Sequence, residues 1–280
     1  MTSFDFAEYK GYSVLMAVWY KERPEYLQQA IESLQAQTLP TRDFVLVCDG
    51  PLGEALEAVI EAKQQEMGPV LKVIRLEENG GLGKALKAGL KHCECNLVAR
   101  MDSDDIAYPE RCEKQVEVFN KYRDISICSG VVEEFSTSPN CVEARRVLPE
   151  TNAEIVKFAR TRCPFNHPCV MYKKSAVEAV GSYEDFYLLE DYYLWLRMLM
   201  AGYKGYNLQV PLLHMRAGSA MYLRRSGFKY AKSQVRLLKF MRRRGFIGPW
   251  QYMAGCVARC GAAVVPNWLR HLVFGKVLRK

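Results

Sequence analysis

The alternation of short apolar segments with helix-periodic segments in the first 135 residues limits what this chain can fold into. Residues 13–19 are almost continuously apolar, as in a buried parallel strand, and residues 24–37, opened by Pro24, place apolar side chains at helical spacing. Further strand–helix pairs begin at residues 44 and 71, and the fourth begins with the apolar run that ends at Met101. Four such units predict an α/β fold with a doubly wound, mostly parallel sheet and ligands at the strand ends.

After residue 125 the alternation becomes less regular. We place a domain boundary near residue 220, where the charge composition has already changed. The division is a catalytic domain at 1–220 and a basic, amphipathic helical appendage at 221–280. The elements predicted in this part are strands at 125–135 and 168–172 and helices at 152–160, 190–200, 228–244 and within 249–280.

Charge is distributed unevenly along the chain. No Asp or Glu follows Asp191, whereas 17 of the 39 Lys and Arg do, which leaves 22 basic against 31 acidic residues in the first 191 positions. An acidic body with a basic tail indicates an anionic partner, either a nucleic acid or the negative cytoplasmic leaflet of a membrane.

The ten cysteines do not have the spacing of a disulfide framework or of a metal site. The first ten residues are polar and charged, so we expect no secretory leader. The chain also lacks an apolar run of 18 residues, so we expect no membrane-spanning helix. We therefore predict free thiols in a reducing cytosol.

The acidic tetrad of residues 102–105 directly follows the fourth apolar run. Its carboxylates, from Asp102, Asp104 and Asp105, would leave the sheet at the C-terminal end of a strand and suit a hard divalent cation. Such a cation is most useful where a diphosphate must be neutralised. The alternative is a turn that caps a helix beginning near Pro109.

Asp49 and Lys84 are candidates on the neighbouring strand ends. Asp49 follows the second strand, where its carboxylate could accept the N3–H of a uracil, or it could form an Asx turn before Pro51. Residues 79–83 are glycine-rich without matching a known phosphate-binding fingerprint. Lys84, at the start of the following helix, could contact a nucleotide phosphate or ribose, or simply belong to a helix-entry loop.

Glu190 and Asp191 open an aromatic-rich helix and are the last acidic residues of the chain. They could complement the helix dipole, or one could be the base that transfer to a hydroxyl requires. For His167, just before a predicted buried strand, we expect a structural hydrogen bond rather than zinc binding.

Six motifs in this order resemble the family 2 glycosyltransferases of GT-A fold, over roughly residues 11–225. They lie at residues 13–19, 48–51, 79–86, 99–105, 166–168 and 189–197. The resemblance implies inverting transfer from a nucleotide sugar, with Mg²⁺ or Mn²⁺ bridging the donor diphosphate through Asp102 and Asp104. It also implies that the Glu190–Asp191 pair supplies the base, which we assign to Asp191. The stretch at 215–227 and the tail at 266–270 further resemble the bacterial branch that assembles O-antigen, capsule or exopolysaccharide on polyprenyl diphosphate.

These resemblances imply a transferase that moves a hexose from a UDP-sugar to a polyprenyl-diphosphate-linked saccharide. Arg224 and Arg225 could neutralise a diphosphate of the donor or of the lipid acceptor, or form a solvated basic face. Two departures from the family are Trp19-Tyr20, where one Tyr is usual, and Gly218, where many relatives carry a His that can ligate the metal. The candidate donor-binding residues are Val18, Trp19, Glu22, Asp49, Gly81, Lys84, Arg100, Asp102, Ser103, Asp104, His167, Arg224 and Arg225.

The basic cluster at 239–244 and the apolar and aromatic residues of 249–280 are typical of a helix in a membrane interface. This predicts a cytoplasmic protein, peripheral on the inner face of the bacterial plasma membrane; a helix packed in the core is the alternative. Two other functions share some of these features: a sugar-nucleotide pyrophosphorylase and a basic nucleic-acid-binding protein. The first usually needs a glycine-rich basic loop after its first strand, and the second leaves the ordered acidic motifs unexplained.

Overall fold

A mixed sheet of nine strands runs through the protein, with helices on both faces, which confirms the predicted α/β class. The computed structural model describes residues 9–217 and 227–264, with side chains described up to Arg259 in the last helix. The strands are β1 Ser13–Val18, β2 Asp43–Cys48, β3 Leu71–Arg75, β4 Leu97–Asp102, β5 Ile106–Ala107, β6 Ile125–Phe135, β7 Ala144–Arg146, β8 Met171–Lys173 and β9 Lys204–Arg216. The helices are α1 Pro24–Gln35, α2 Glu54–Met67, α3 Leu82–Leu90, α4 Arg111–Lys121, α5 Asn152–Phe158, α6 Lys174–Ala179, α7 Glu190–Met200, α8 Phe228–Arg243 and α9 Pro249–Val264.

The first half of the sheet has the predicted parallel arrangement, with strand order β3-β2-β1-β4. Val18 at the end of β1 pairs with Cys48 at the end of β2, and Ala17 pairs with Asp102 at the end of β4. Because parallel strands end at the same edge, this register brings residues 19–22, Asp49 and the acidic tetrad together.

The second half of the sheet is mixed. β8 is antiparallel to both β4 and β6, β6 and β9 are parallel, and β5 is antiparallel to β9. The strand predicted at 168–172 is shifted: residues 167–169 form a 3-10 turn and β8 follows.

Strand β9 was not predicted from the sequence. Pro211 interrupts its pattern, and its pairing with β6 changes register on both sides of Val131. Asn207 is buried there because its amide donates to the carbonyls of Pro149 at 2.7 Å and Pro164 at 3.1 Å. A proline and a buried amide inside a strand hide the usual alternation.

Two apolar cores lie on the two faces of the sheet. One contains Leu27 and Ile31 of α1, and the other contains Trp195 of α7. The predicted basic helix, α8, joins the second core through Leu237, Leu238 and Met241. The predicted boundary near 220 falls among residues 218–226, outside the described ranges, and stays a prediction.

The cysteines with described side chains are all free thiols, as predicted. Among the residues that the structure describes, no helix has both the length and the apolar character needed to cross a membrane.

Candidate active site

The acidic tetrad forms a compact carboxylate cluster at the end of β4. Asp102, Asp104 and Asp105 each present an oxygen, and these three oxygens lie within 4.8 Å of one another. The family resemblance assigns the ion to Asp102 and Asp104, and the structure places Asp105, the third carboxylate of the tetrad, in the same cluster. The helix-capping alternative is wrong, because α4 begins only at Arg111 and Glu110 before it makes no side-chain cap.

The electrostatics of the cluster favour a bound cation. Burial and the neighbouring charges of Asp102 and Glu22 raise the pKa of Asp104 from 3.8 to about 7. Burial and the charges of Asp104 and Asp102 hold the pKa of Asp105 well above its ordinary value. In the described residues, Asp105 Oδ2 is buried without a hydrogen-bond donor. A hard divalent cation would relieve this repulsion, so the residues present fit such an ion.

Arg216, the last residue of β9, hydrogen-bonds to the acidic turn. Its backbone N–H donates to Asp105 Oδ1 at 2.9 Å, and its Nε donates to the carbonyl of Asp104 at 3.0 Å. The guanidinium lies between two rings, 3.7 Å from the centroid of Tyr26 and 4.7 Å from that of Phe135. Arg216 belongs to the sequence motif at 215–227, which does not by itself indicate this role.

Arg100 is buried directly behind the cluster. It is 1% exposed and forms an ion pair with Asp102 through Nη2. Arg111 donates to the Arg100 carbonyl at 2.6 Å, which fixes the backbone of β4. Since Arg100 is closed to solvent, it acts on the site mainly through its charge.

The end of β1 borders the same cluster. Ser103 Oγ donates to Glu22 Oε2 at 2.6 Å, and the carbonyl of Val18 accepts the N–H of Asp49 at 2.8 Å. Trp19 is partly buried, and the ammonium of Lys21 lies 5.5 Å from the centroid of its ring. These predicted donor-site residues therefore lie at one edge of the sheet.

Asp49 joins this edge to the glycine-rich segment. It is buried, and its two carboxylate oxygens accept the N–H groups of Gly80 at 2.8 Å and Gly81 at 3.0 Å. Gly81 has φ +88°, a conformation that favours glycine. Asp49 thus bridges two loops, and the predicted uracil contact stays a prediction. Lys84 is exposed in the first turn of α3.

Glu190 and Asp191 occupy the first turn of α7 and point to different neighbours. A Cβ added to Gly83 would lie 3.3 Å from Glu190 Cβ, so the start of α3 touches Glu190. Asp191 Oδ2 instead lies 3.8 Å from the thiol of Cys163. Burial and the charge of Asp191 raise the pKa of Glu190 from 4.5 to about 7.

His167 makes the structural contact that the sequence predicted. Its Nε2 lies 3.2 Å from the hydroxyl of Tyr183, and its ring centroid is 5.9 Å from that of Trp195. Burial, and then the charge of Arg100, hold the pKa of His167 well below its ordinary value. An uncharged imidazole supports the packing beside α7. The other candidates, Arg224 and Arg225, lie outside the described residues.

Comparison with known proteins assigns the family. The model of the family described as "Glycosyl transferase family 2" matches residues 13–181, which span β1 through α6. The chain belongs to glycosyltransferase family 2. It is therefore a glycosyltransferase, and the pyrophosphorylase and nucleic-acid-binding alternatives are set aside.

Two bacterial relatives cover most of the chain. The chain is 43% identical to the amylovoran biosynthesis glycosyltransferase AmsE of Erwinia amylovora over 239 residues, covering 84% of this chain and 88% of AmsE. It is 35% identical to the UDP-Gal:alpha-D-GlcNAc-diphosphoundecaprenol beta-1,3-galactosyltransferase of Escherichia coli over 269 residues, covering 96% of this chain and 97% of that enzyme.

Solved structures share the fold at low identity. Staphylococcus aureus TarS 1-349 in complex with UDP-GlcNAc superposes with a TM-score of 0.67 at 18% identity, covering 95% of this chain and 76% of TarS. The mannosyltransferase PcManGT of Pyrobaculum calidifontis, in complex with GDP-Man and Mn²⁺, gives a TM-score of 0.61 at 16% identity, covering 98% of this chain and 83% of PcManGT. Both confirm the GT-A fold, whose members generally use a divalent metal.

Proposed function

We propose that this enzyme transfers a hexose, with inversion, from a UDP-sugar to a polyprenyl-diphosphate-linked saccharide during bacterial surface polysaccharide assembly. The observation that carries the proposal is the convergence of three groups at one edge of the sheet: the carboxylate cluster, the Asp49-bound glycine segment and the Glu190–Asp191 pair. The printed names of the relatives support the substrate class, since one uses UDP-Gal and a diphosphoundecaprenol acceptor and another acts in amylovoran biosynthesis.

Asp102 and Asp104, with Asp105 beside them, would hold Mg²⁺ or Mn²⁺. When bound, the ion supplies positive charge to the donor diphosphate and to the departing UDP. Arg100 contributes by pairing with Asp102, which orients that carboxylate. Arg216 contributes by fixing the backbone of the acidic turn.

Asp191 is the proposed base. It removes the proton of the acceptor hydroxyl while the hydroxyl oxygen attacks the anomeric carbon, and the bond from that carbon to the UDP oxygen breaks on the opposite face. Its position beside Cys163 supports this role, because Glu190 faces α3 and the donor side instead. The charge of Asp191 also raises the pKa of Glu190, so the two carboxylates interact.

The lipid-linked acceptor implies work at the inner face of the plasma membrane. The basic character of α8 supports a peripheral location there, because anionic lipid attracts basic residues. Arg224 and Arg225 are proposed to neutralise a diphosphate of donor or acceptor.

The test is UDP release from a panel of UDP-hexoses with a synthetic lipid-diphosphate sugar acceptor. At least one hexose should support turnover with Mn²⁺ or Mg²⁺, and EDTA should abolish it. Asp104→Asn should lose Mn²⁺ binding in calorimetry without unfolding. The control Asp124→Asn, which changes an exposed carboxylate paired with Lys204, should bind Mn²⁺ normally. Full turnover in EDTA would refute the metal role, and failure of every UDP-hexose would refute the donor class.

A further inference from the structure

The carboxylate of Asp191 is held between two segments that are distant in sequence. Its Oδ1 accepts the backbone N–H of Tyr192 at 2.6 Å, in the first turn of α7. Its Oδ2 lies 3.8 Å from the thiol of Cys163, and the same thiol lies 3.5 Å from the carbonyl of Phe165. Cys163 ends the turn that follows α5, which we call the 159–163 turn. The orientation of Asp191 therefore depends on how α7 and the 159–163 turn lie against each other.

Tyr192 joins these two segments directly. Its ring is buried, and its hydroxyl donates to the carbonyl of Ala159 at 2.7 Å. That carbonyl lies just beyond the last residue of α5, where backbone carbonyls lack partners within the helix. This hydrogen bond sets the distance between α7 and the 159–163 turn at the beginning of the turn.

Arg259 of α9 supplies a second connection, in the middle of the turn. Its Nη2 donates to the carbonyl of Thr161 at 2.5 Å, and its guanidinium carbon lies 5.7 Å from the centroid of the Tyr192 ring. Its Nη1 donates to Gln234 Oε1 at 2.8 Å, which ties the same guanidinium to α8. One side chain therefore contacts α7, α8 and the 159–163 turn at the same time.

The residue type suits this role. A guanidinium is planar and carries five N–H donors in a fixed fork, so it can bind two oxygens and lie near a ring in one conformation, which the ammonium of a lysine cannot do. Gln234 is buried, and its amide donates to the Tyr230 hydroxyl at 2.7 Å, which leaves its oxygen to accept from Arg259. Arg259 is also the one charged residue between Arg244 and Arg270 in the sequence, and its side chain is half-buried. This isolated charge is therefore used in a contact with the body rather than on a solvated basic surface.

We infer that Arg259 is a positioning residue for Asp191: by holding the 159–163 turn against α7, it keeps the carboxylate directed at the acceptor hydroxyl. The inference deepens the proposed function and rests on it for the role of Asp191 as the base. A base must lie within hydrogen-bond reach of the proton that it removes, and a misplacement of about 1 Å can cost about 10²-fold in rate. Helix α9, which lies beyond residue 181 where the match to the family model ends, is then part of the support of the active site.

The experiment is UDP release by the full chain carrying Arg259→Met, alone and combined with Asp191→Asn. Arg259→Met should lower kcat about tenfold while it leaves the KM for the sugar donor and the affinity for UDP within about twofold. In the Asp191→Asn background it should lower kcat less than about twofold, because the group that it positions is already gone. Arg259→Lys, which keeps the charge without the fork, should give a kcat between those of the wild type and Arg259→Met. The control Arg42→Met changes an exposed arginine just before β2, at the opposite edge of the sheet, and should match the wild type.

A second measurement needs neither sugar donor nor acceptor. Alkylation of Cys163 by iodoacetamide, followed residue by residue with mass spectrometry, should be several-fold faster in Arg259→Met, because a released 159–163 turn opens more often around the half-buried thiol. The exposed Cys141 should react at the same rate in both proteins and serves as the internal control.

Equal losses of kcat from Arg259→Met in the two backgrounds would overturn the inference, as would an unchanged alkylation rate of Cys163. If Arg259→Met melts within the range of assay temperatures, Arg259→Lys carries the same comparison. A fully active Asp191→Asn would refute the base assignment and the inference with it. Inactivity with every UDP-hexose would refute only the proposed donor class, and the alkylation rates would then decide the inference.

Discussion

Replacing Glu190 by Gln should stabilise the fold. Glu190 is largely buried beside Asp191, and its pKa is raised from 4.5 to about 7. A carboxyl with a raised pKa in the folded state binds its proton more tightly there than in the unfolded chain. The free energy of unfolding therefore falls as the pH rises from about 4.5 to 7, because Glu190 loses its proton more readily in the unfolded chain. Above about pH 7 the folded protein bears the full cost of the buried, ionised carboxylate. At about 1.4 kcal/mol per pKa unit, the ionised carboxylate costs the fold about 3 kcal/mol.

Urea unfolding of the wild type and Glu190→Gln at about pH 5.5 and pH 8 measures this cost. At pH 5.5, about one pH unit above the unfolded-state pKa, the free energy of unfolding of Glu190→Gln should exceed that of the wild type by on the order of 1.4 kcal/mol. Near pH 8 the gain should reach about 3 kcal/mol, an increase of about 2 kcal/mol. Glutamine is uncharged and nearly isosteric with glutamate. The pH-dependent part of the difference in unfolding free energy therefore reports the titration of Glu190 alone.

Asp191→Asn provides the internal control. The charge of Asp191 is the second cause of the raised pKa after burial, so removing it should lower the pKa of Glu190. The additional gain from Glu190→Gln at high pH should then shrink in that background. If the advantage of Glu190→Gln is the same at both pH values, the carboxylate is not held protonated by its surroundings and the reasoning is wrong.

Two other substitutions test the assignment of roles. Asp191→Asn should keep UDP affinity within about twofold by calorimetry while transfer falls about 10²-fold, the usual effect of removing a general base; an active Asp191→Asn beside a dead Glu190→Gln would reverse the two roles. Gly83→Ala should keep or raise the melting temperature, because Ala favours helix by about 1 kcal/mol, yet reduce transfer about tenfold, since the new Cβ would lie 3.3 Å from Glu190 Cβ. Its control, Gly53→Ala, adds a Cβ that meets nothing within 4 Å, and equal activity of the two variants would show that displacing Glu190 does not matter.

The sequence predicts the parallel half of the site well because strand ends are local features. Asp49 and Asp102 each follow an apolar run, and parallel pairing with β1 is enough to bring them to one edge. The roles of Arg216 and Asp105 are not accessible in this way. Their hydrogen bond joins residues 111 positions apart, and it depends on β9, whose pattern is interrupted by Pro211.

Other parts depend on tertiary packing. The composition of α8 and α9 identifies basic and amphipathic helices, but only the packing decides which face is free. Gly255 lies on the side of α9 that packs against α8, whereas Trp250 is exposed to solvent. Similarly, the sequence offered an Asx turn for Asp49, whereas the carboxylate binds Gly80 and Gly81 across a loop.

The hydrogen bond from Arg216 to Asp105 also constrains the order in which the molecule can be built. Residues 13–102 can pair β1 with its parallel neighbours as soon as they are synthesised, but β5 pairs with β9, which comes much later in the chain. The backbone N–H of Arg216, which binds Asp105 in the turn between β4 and β5, is synthesised more than a hundred residues after that turn. Such a late, non-local closure is expected to be slow. A nascent chain that ends before β9 would carry the acidic motif without its finished shape, so cation binding should mark completion of the sheet rather than its beginning.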